Sequence, residues 1–143
     1  MRRPAVAVRR RAIAGLHAAG YTDLQPGHLA VFAWPGPDGQ RPGVLAVRAD
    51  ASKQAMNHLL GQLEAQGYIV RKPDPADRRT RIVQLTRRGA KAWAVLEKIN
   101  ADVEAEWLET LGKEAYADLQ QALVVLNEHF DDHPVNGNNH HHD

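Results

Sequence analysis

Residues 49–67 read Ala49-Asp50-Ala51-Ser52-Lys53-Gln54-Ala55-Met56-Asn57-His58-Leu59-Leu60-Gly61-Gln62-Leu63-Glu64-Ala65-Gln66-Gly67. Ser52 is a residue type that caps a helix N-terminus with its hydroxyl, and Gly67 one that ends a helix. Between them, at about 100° per residue, Ala55, Met56, Leu59, Leu60 and Leu63 fall on one face. That apolar face suits packing on a short preceding helix through Val44, Leu45 and Ala49. Lys53, Gln54, Asn57, His58 and Gly61 fall on the other side. Such a face is polar without being acidic. Gln and Asn can bond adenine bidentately, Lys can reach guanine or phosphate, and Ser52 can offer its hydroxyl and backbone amides to a phosphate.

Outward from this helix, the chain alternates helix and turn signals. Residues 9–19 form a helix with Ile13 and Leu16 on its apolar side, closed by Gly20. Residues 24–34 form a second, with Leu29, Phe32 and Ala33 at helical spacing, ended by Pro35-Gly36-Pro37-Asp38-Gly39. Pro42 suits the first turn of a short third helix, 42–48. After Gly67, residues 68–72 and 80–85 are β-branched and alternating, hence two strands. The Pro73-Asp74-Pro75-Ala76-Asp77-Arg78-Arg79 segment between them is a charged hairpin tip. Thr86 can cap a long fifth helix, which Gly112 separates from a sixth.

Helix, helix, short helix, turn, helix, strand, hairpin, strand is the order of a winged helix-turn-helix. The expected fold class is mainly α (α+β): residues 24–91 form the winged lobe, and helices at 5–20 and 92–130 form a dimerisation region, all in one domain spanning 1–130. The sixth helix carries Tyr116, Leu119, Leu123, Leu126 and Phe130 at alternating spacings of three and four. Trp93, Leu96, Val103, Trp107 and Leu111 make a similar stripe on the fifth. These stripes cover either the chain's own core or a second copy, and a helical pair with so little domain to cover favours the second copy. Residues 131–143 are Pro-, Asn-, Gly- and His-rich and are expected to be a disordered tail.

Charge supports a polyanionic partner. Through Lys91 there are sixteen Lys and Arg against six Asp and Glu; afterwards there are two against eleven. Local charges of +10 and −9 are therefore hidden in a net charge of +1. Arg78 and Arg79 at the hairpin tip suit the narrow minor groove, where the potential is most negative. Asp77 beside them can hold the tip arginines in one geometry by accepting hydrogen bonds. Glycine inside a helix costs about 1 kcal/mol relative to alanine. Gly61 thus either admits a DNA backbone or is a tolerated flaw.

Two stretches carry a specific resemblance. Leu45-Ala46-Val47-Arg48-Ala49-Asp50-Ala51-Ser52-Lys53-Gln54-Ala55 resembles the helix-turn-helix of the multiple-antibiotic-resistance regulator (MarR) family. The hairpin tip, with Val83-Gln84-Leu85-Thr86-Arg87-Arg88-Gly89, is similar to that family's wing. The resemblance covers roughly residues 24–130. It implies a homodimer that docks a winged lobe on each half of a near-palindromic duplex operator, more often as a repressor. Ser52, Lys53, Gln54 and Asn57 then lie on the recognition helix, with His58 beside them on its outer face as a candidate contact read from the residues. Asp77 and Arg79 match the wing-tip pair, which Arg78 adjoins. It also implies a small aromatic or phenolic ligand between dimer base and DNA lobe, with His17, Tyr21, His28, Phe32 and Trp93 as candidate lining residues. Three departures stand out: Asp50 occupies a turn position that often holds glycine, the first helix looks short at its start, and His58, Gly61 and Gln62 replace residues that are often charged.

Other classes find less support. There is no glycine-rich phosphate loop, nucleophile elbow or pair of carboxylates in an apolar stretch, so no enzyme is expected. With no cysteine there is no disulfide, thiolate metal site or thiol switch. His129 and His133 are four apart, near Asp132, but Pro134 and the tail make a poor helix there, so neither a metal nor a cofactor is expected. No apolar run approaches a membrane span, and no signal-peptide core follows the basic N-terminus, which points to the cytoplasm. A winged helix that binds protein or RNA is the remaining alternative.

Overall fold

The computed structural model describes residues 2–32 and 39–132. Six α-helices occur among these residues: α1 (Arg2–Ala18), α2 (Leu29–Phe32), α3 (Pro42–Arg48), α4 (Lys53–Ala65), α5 (Arg87–Leu111) and α6 (Lys113–Asp132). A 3₁₀ turn, Pro26–His28, leads into α2, and two strands, β1 (Ile69–Pro73) and β2 (Arg81–Leu85), lie between α4 and α5. The chain divides into two compact units, one through residue 101 and one from residue 102 onward.

The first unit is the winged lobe with α1 and most of α5. Its core gathers Leu16 of α1, Leu24, Val31 of α2, Leu45 of α3, Met56, Leu60 and Leu63 of α4, Tyr68 and Ile69, Val83 of β2, and Leu96 of α5. Removing Met56, Leu60 and Leu63 from water contributes roughly 1.5–3 kcal/mol each. This is what seats α4 on α3 and leaves its other side free. The packing face differs from expectation at two residues. Ala55 and Val44 are exposed, and Ala46 is the buried partner in α3. Ala55 sits in the first turn of α4.

Helix α1 starts at Arg2, nearly two turns before the expected residue 9. Pro4 falls within its first turn, where an absent N–H breaks no helical bond. The second helix is shorter than expected. Pro26 and Gly27 confine the chain to a single 3₁₀ turn, with Gln25 as N-cap, before α2 begins at Leu29. Ala33 and Trp34 lie outside the described residues.

The strands pair antiparallel, with Ile69 opposite Leu85 and Pro73 opposite Arg81. Gln40 adds a bridge on the far side of β2: its N–H donates to the Val83 carbonyl at 3.0 Å and its carbonyl accepts from Val83 N–H at 2.6 Å. Gly67, at φ 80°, ends α4 in the left-handed region, with Tyr68 N–H returning to the Leu63 carbonyl at 2.9 Å. That reversal turns the chain from the recognition helix directly into the wing.

At the start of α5, Thr86 accepts from Gly89 N–H at 3.0 Å and donates its hydroxyl proton to the Gly67 carbonyl at 2.5 Å. A Cβ on Gly89 would collide with the Tyr68 carbonyl oxygen, so only glycine lets α5 approach this closely. Arg88 stacks over the Tyr68 ring at 4.3 Å and pairs with Asp23 at 3.3 Å, while the Tyr68 hydroxyl donates to the Asp23 carboxylate.

In the second unit, α6 buries little of its apolar side. Leu123, Val124, Val125 and Leu126 are all 43–53% exposed. The stripe expected on α5 is split: Leu96 and Val103 are buried, whereas Trp93 and Leu111 are exposed. Phe130's side chain, and the tail beyond Asp132 with His133, lie outside the described residues; α6 itself runs through Asp132, beyond the expected limit at 130.

Candidate nucleic-acid interface

Helix α4 begins where the sequence pattern places it. Ser52 is its N-cap, and the hydroxyl oxygen accepts from Ala55 N–H at 3.0 Å. Among the described residues the hydroxyl proton has no acceptor, so it can donate outward. The preceding turn closes α3 with Ala51 N–H on the Ala46 carbonyl at 2.9 Å and Asp50 N–H on the Val47 carbonyl at 3.1 Å. Asp50 adopts φ 51°, the left-handed geometry that glycine would take without strain.

Lys53, Gln54, Asn57, His58, Gly61 and Gln62 are all exposed on α4. Glu64, near the helix end, faces Arg71 of β1, with Nε 3.6 Å from its carboxylate. Arg71 also reaches the Asn57 carbonyl with Nη2 at 3.4 Å. Its side chain therefore lies along the C-terminal half of α4, beside Gly61. A Cβ on Gly61 would meet only the Arg71 Nη2, at 4.0 Å. Nothing inside the described protein requires glycine there.

The wing tip is built by its acids. Asp77 accepts Arg79 N–H on Oδ1 at 3.1 Å, and its carbonyl takes both the N–H and the hydroxyl of Thr80 at 3.0 Å. Asp77 thus shapes the backbone that carries Arg79, rather than its guanidinium. Arg78 and Arg79 are exposed, and neither has an acidic partner among the described residues.

The residue that sequence reasoning missed is Asp74. It is buried, with Oδ1 accepting Ala76 N–H at 2.9 Å. Its Oδ2 accepts from Arg41 Nε at 2.9 Å and Nη2 at 2.7 Å. The Ala76 amide first, and Arg41 second, hold its carboxyl below the usual carboxylate range. Arg41 is the N-cap residue of α3, so this two-pronged contact straps the wing to the start of the helix-turn-helix. The flanking Pro73 and Pro75 were the available signal of a constrained carboxylate, but nothing local pointed to a partner 33 residues away.

The five candidate ligand-lining residues behave differently from one another. His28 is fully buried and both ring nitrogens have protein partners, Gln25 N–H and the Gln62 side chain, each at 2.9 Å. His17 is half-buried, with Nε2 2.7 Å from the Leu24 carbonyl. Tyr21 packs at the core edge, its ring 6.1 Å from that of Tyr68. Trp93 is 38% exposed on α5. Phe32's side chain lies outside the described residues.

A family model described as the MarR family matches residues 22–80. The chain is also 35% identical over 92 residues to the transcriptional regulator HosA of Escherichia coli O111:H-, covering 61% of this chain and 68% of HosA. The chain belongs to the MarR family. A second relative is the transcriptional activatory protein BadR of Rhodopseudomonas palustris, 31% identical over 112 residues. That match covers 78% of this chain, which spans only 63% of BadR. Among solved structures, CouR from Rhodococcus jostii RHA1, bound to p-coumaroyl-CoA, superposes with a TM-score of 0.70. It covers 95% of this MarR-family chain and 91% of CouR, and at 18% identity the likeness is one of fold. The turn at Asp50, the cap at Ser52 and the wing tip through Arg79 all fall within the family-matched region.

Proposed function

We propose that this MarR-family chain is a dimeric, sequence-specific regulator of transcription that binds duplex DNA. The observation that carries the reading is a capped helix, α4, whose exposed Lys53, Gln54, Asn57 and His58 are joined by β1 to a wing tip carrying two exposed arginines. Side-chain amides and an imidazole suit base edges in the major groove. Arg78 and Arg79 suit the minor groove beside it. In a dimer, two α4 helices enter successive major grooves roughly 34 Å apart. The exposed apolar residues of α6 give a second copy something to cover.

The sign of regulation depends on where the operator lies relative to the promoter. An operator overlapping the promoter gives repression, whereas BadR carries an activator's name. The same reading extends to a small aromatic or phenolic effector, as CouR's bound p-coumaroyl-CoA suggests, with His17, Tyr21 and Trp93 as candidate contacts. Such a ligand acts only through its differential affinity for the DNA-bound and free arrangements. No helix among the described residues is long and apolar enough to cross a membrane. A DNA-binding role fits a protein that works beside the chromosome in the cytoplasm.

The test is fluorescence anisotropy of labelled duplexes tiled across the region upstream of the chain's own gene, at several salt concentrations, with scrambled duplex as control. Binding to one near-palindromic tile by two subunits, falling linearly on a log–log salt plot, is the expected result. No duplex binding even at low salt would overturn the reading.

A further inference from the structure

A short hydrogen-bond chain runs from the core of the winged lobe to the outer face of α4, and its polarity is set at the buried end. The backbone N–H of Gln25 points at His28 Nδ1 at 2.9 Å. A backbone N–H can only donate, so Nδ1 accepts and carries no proton. His28, 1% exposed, is then the neutral ring with its proton on Nε2.

That Nε2–H lies 2.9 Å from Gln62 Oε1 and donates to it. With its oxygen engaged, the Gln62 amide turns its NH₂ group toward His58, whose Nε2 is 3.3 Å away. An NH₂ group donates, so His58 Nε2 accepts, and the remaining imidazole proton sits on Nδ1. His58 is exposed on the same helix as Lys53, Gln54 and Asn57.

We infer that the His28–Gln62 chain holds the exposed His58 as its Nδ1–H tautomer, making it a hydrogen-bond donor of fixed polarity on the recognition helix. Free histidine favours the Nε2–H form, so the protein selects the less common tautomer from a distance. His28 and Gln62 are positioning residues and His58 is the contacting one. The His28 ring that sequence reasoning assigned to ligand lining has this other task. Resting on the DNA-binding reading, a donor at Nδ1 seeks an acceptor: guanine O6 or N7, adenine N7, thymine O4 or a phosphate oxygen. It is mismatched against the cytosine amino group.

Long-range ¹H–¹⁵N correlation of the imidazole rings in the free full-length protein, at about pH 8 and above the usual histidine range of about 6.5, tests this without DNA. The expected spectrum has Nε2 of His58 unprotonated and Nδ1 protonated, with the opposite pattern for His28. In Gln62→Glu a carboxylate can only accept hydrogen bonds from the two rings, so His58 is expected to switch to Nε2–H while His28 keeps its tautomer. A wild-type His58 that is mainly Nε2–H, or a Gln62→Glu spectrum unchanged at His58, overturns the inference.

Duplex binding by the same variant then locates the acceptor. Altered preference at one base pair with an unchanged salt slope places it on a base edge. A roughly uniform loss across sequences, larger than the loss Gln62→Glu causes in a His58→Ala background, places it on a phosphate. An equal loss in both backgrounds is the new charge alone and overturns the role of the tautomer in recognition. Full retention of wild-type affinity and preference overturns the role of the tautomer in recognition. Failure of the wild type to bind any duplex removes the DNA reading, while the ring spectrum still decides independently whether the hydrogen-bond chain sets the tautomer.

Discussion

Arg79 and Gln54 are both exposed polar residues of one interface, yet their chemistry separates their roles. Arg79 is carried on a backbone pinned by Asp77 and has no acidic partner among the described residues. Arg79→Ala is therefore expected to weaken all duplexes by a similar factor and to lower the salt slope by about one. Gln54→Ala is expected instead to relax preference at one base pair, a loss of roughly 1–3 kcal/mol against the correct sequence alone. Anisotropy titrations on matched and single-substituted duplexes read both. Asp50 was legible from sequence as an unusual turn residue, and its φ of 51° bears this out. Left-handed geometry costs a non-glycine residue roughly 1–2 kcal/mol. Asp50→Gly is expected to recover part of that strain, and equilibrium urea unfolding measures it.

At the scale of elements, the cap, stop and strand signals around α4 were legible because they are local. Ser52 and Gly67 act on groups within a turn of themselves. The break at Pro26 was in plain view too, but the apolar spacing of Leu29, Phe32 and Ala33 outweighed it in a reading based on periodicity. The Arg41–Asp74 strap was not legible, because it joins the start of α3 to the wing across a gap that no sequence period spans. Arg41→Ala is expected to free the tip, raising hydrogen exchange at Ala76 and Thr80 while leaving α4 protected. Duplex affinity should fall with it, since the tip arginines lose their fixed position. Unchanged exchange at the tip would show that the Asp74 and Asp77 turns suffice alone.

At the scale of the whole molecule, the exposed row on α6 is the clearest unfinished surface. A second copy is expected to cover it, so the double variant Leu123→Asp/Leu126→Asp should sediment as a monomer where the wild type sediments as a dimer. Acid acts on a different part of the structure. Burial raises the carboxyl of Asp23, but the Tyr68 hydroxyl and Arg88 more than offset this, so its folded value lies below the ordinary one. A depressed carboxylate adds stability that is present above its unfolded value of about 3.9 and is lost as pH falls through the folded value. The stability gap between wild type and Asp23→Asn, from urea midpoints, is thus expected to be full at neutral pH and to close below about pH 4. By itself the sequence determined the order of helices and strands, the caps of α4 and its exposed polar face, because each follows from neighbours within about a turn of helix or a hairpin. Tertiary structure alone decided which of those residues act together. It tied Arg41 to Asp74, joined Arg88, Tyr68 and Asp23, and oriented His58 from His28, because hydrogen bonds and ion pairs form between groups that only packing brings within about 3 Å.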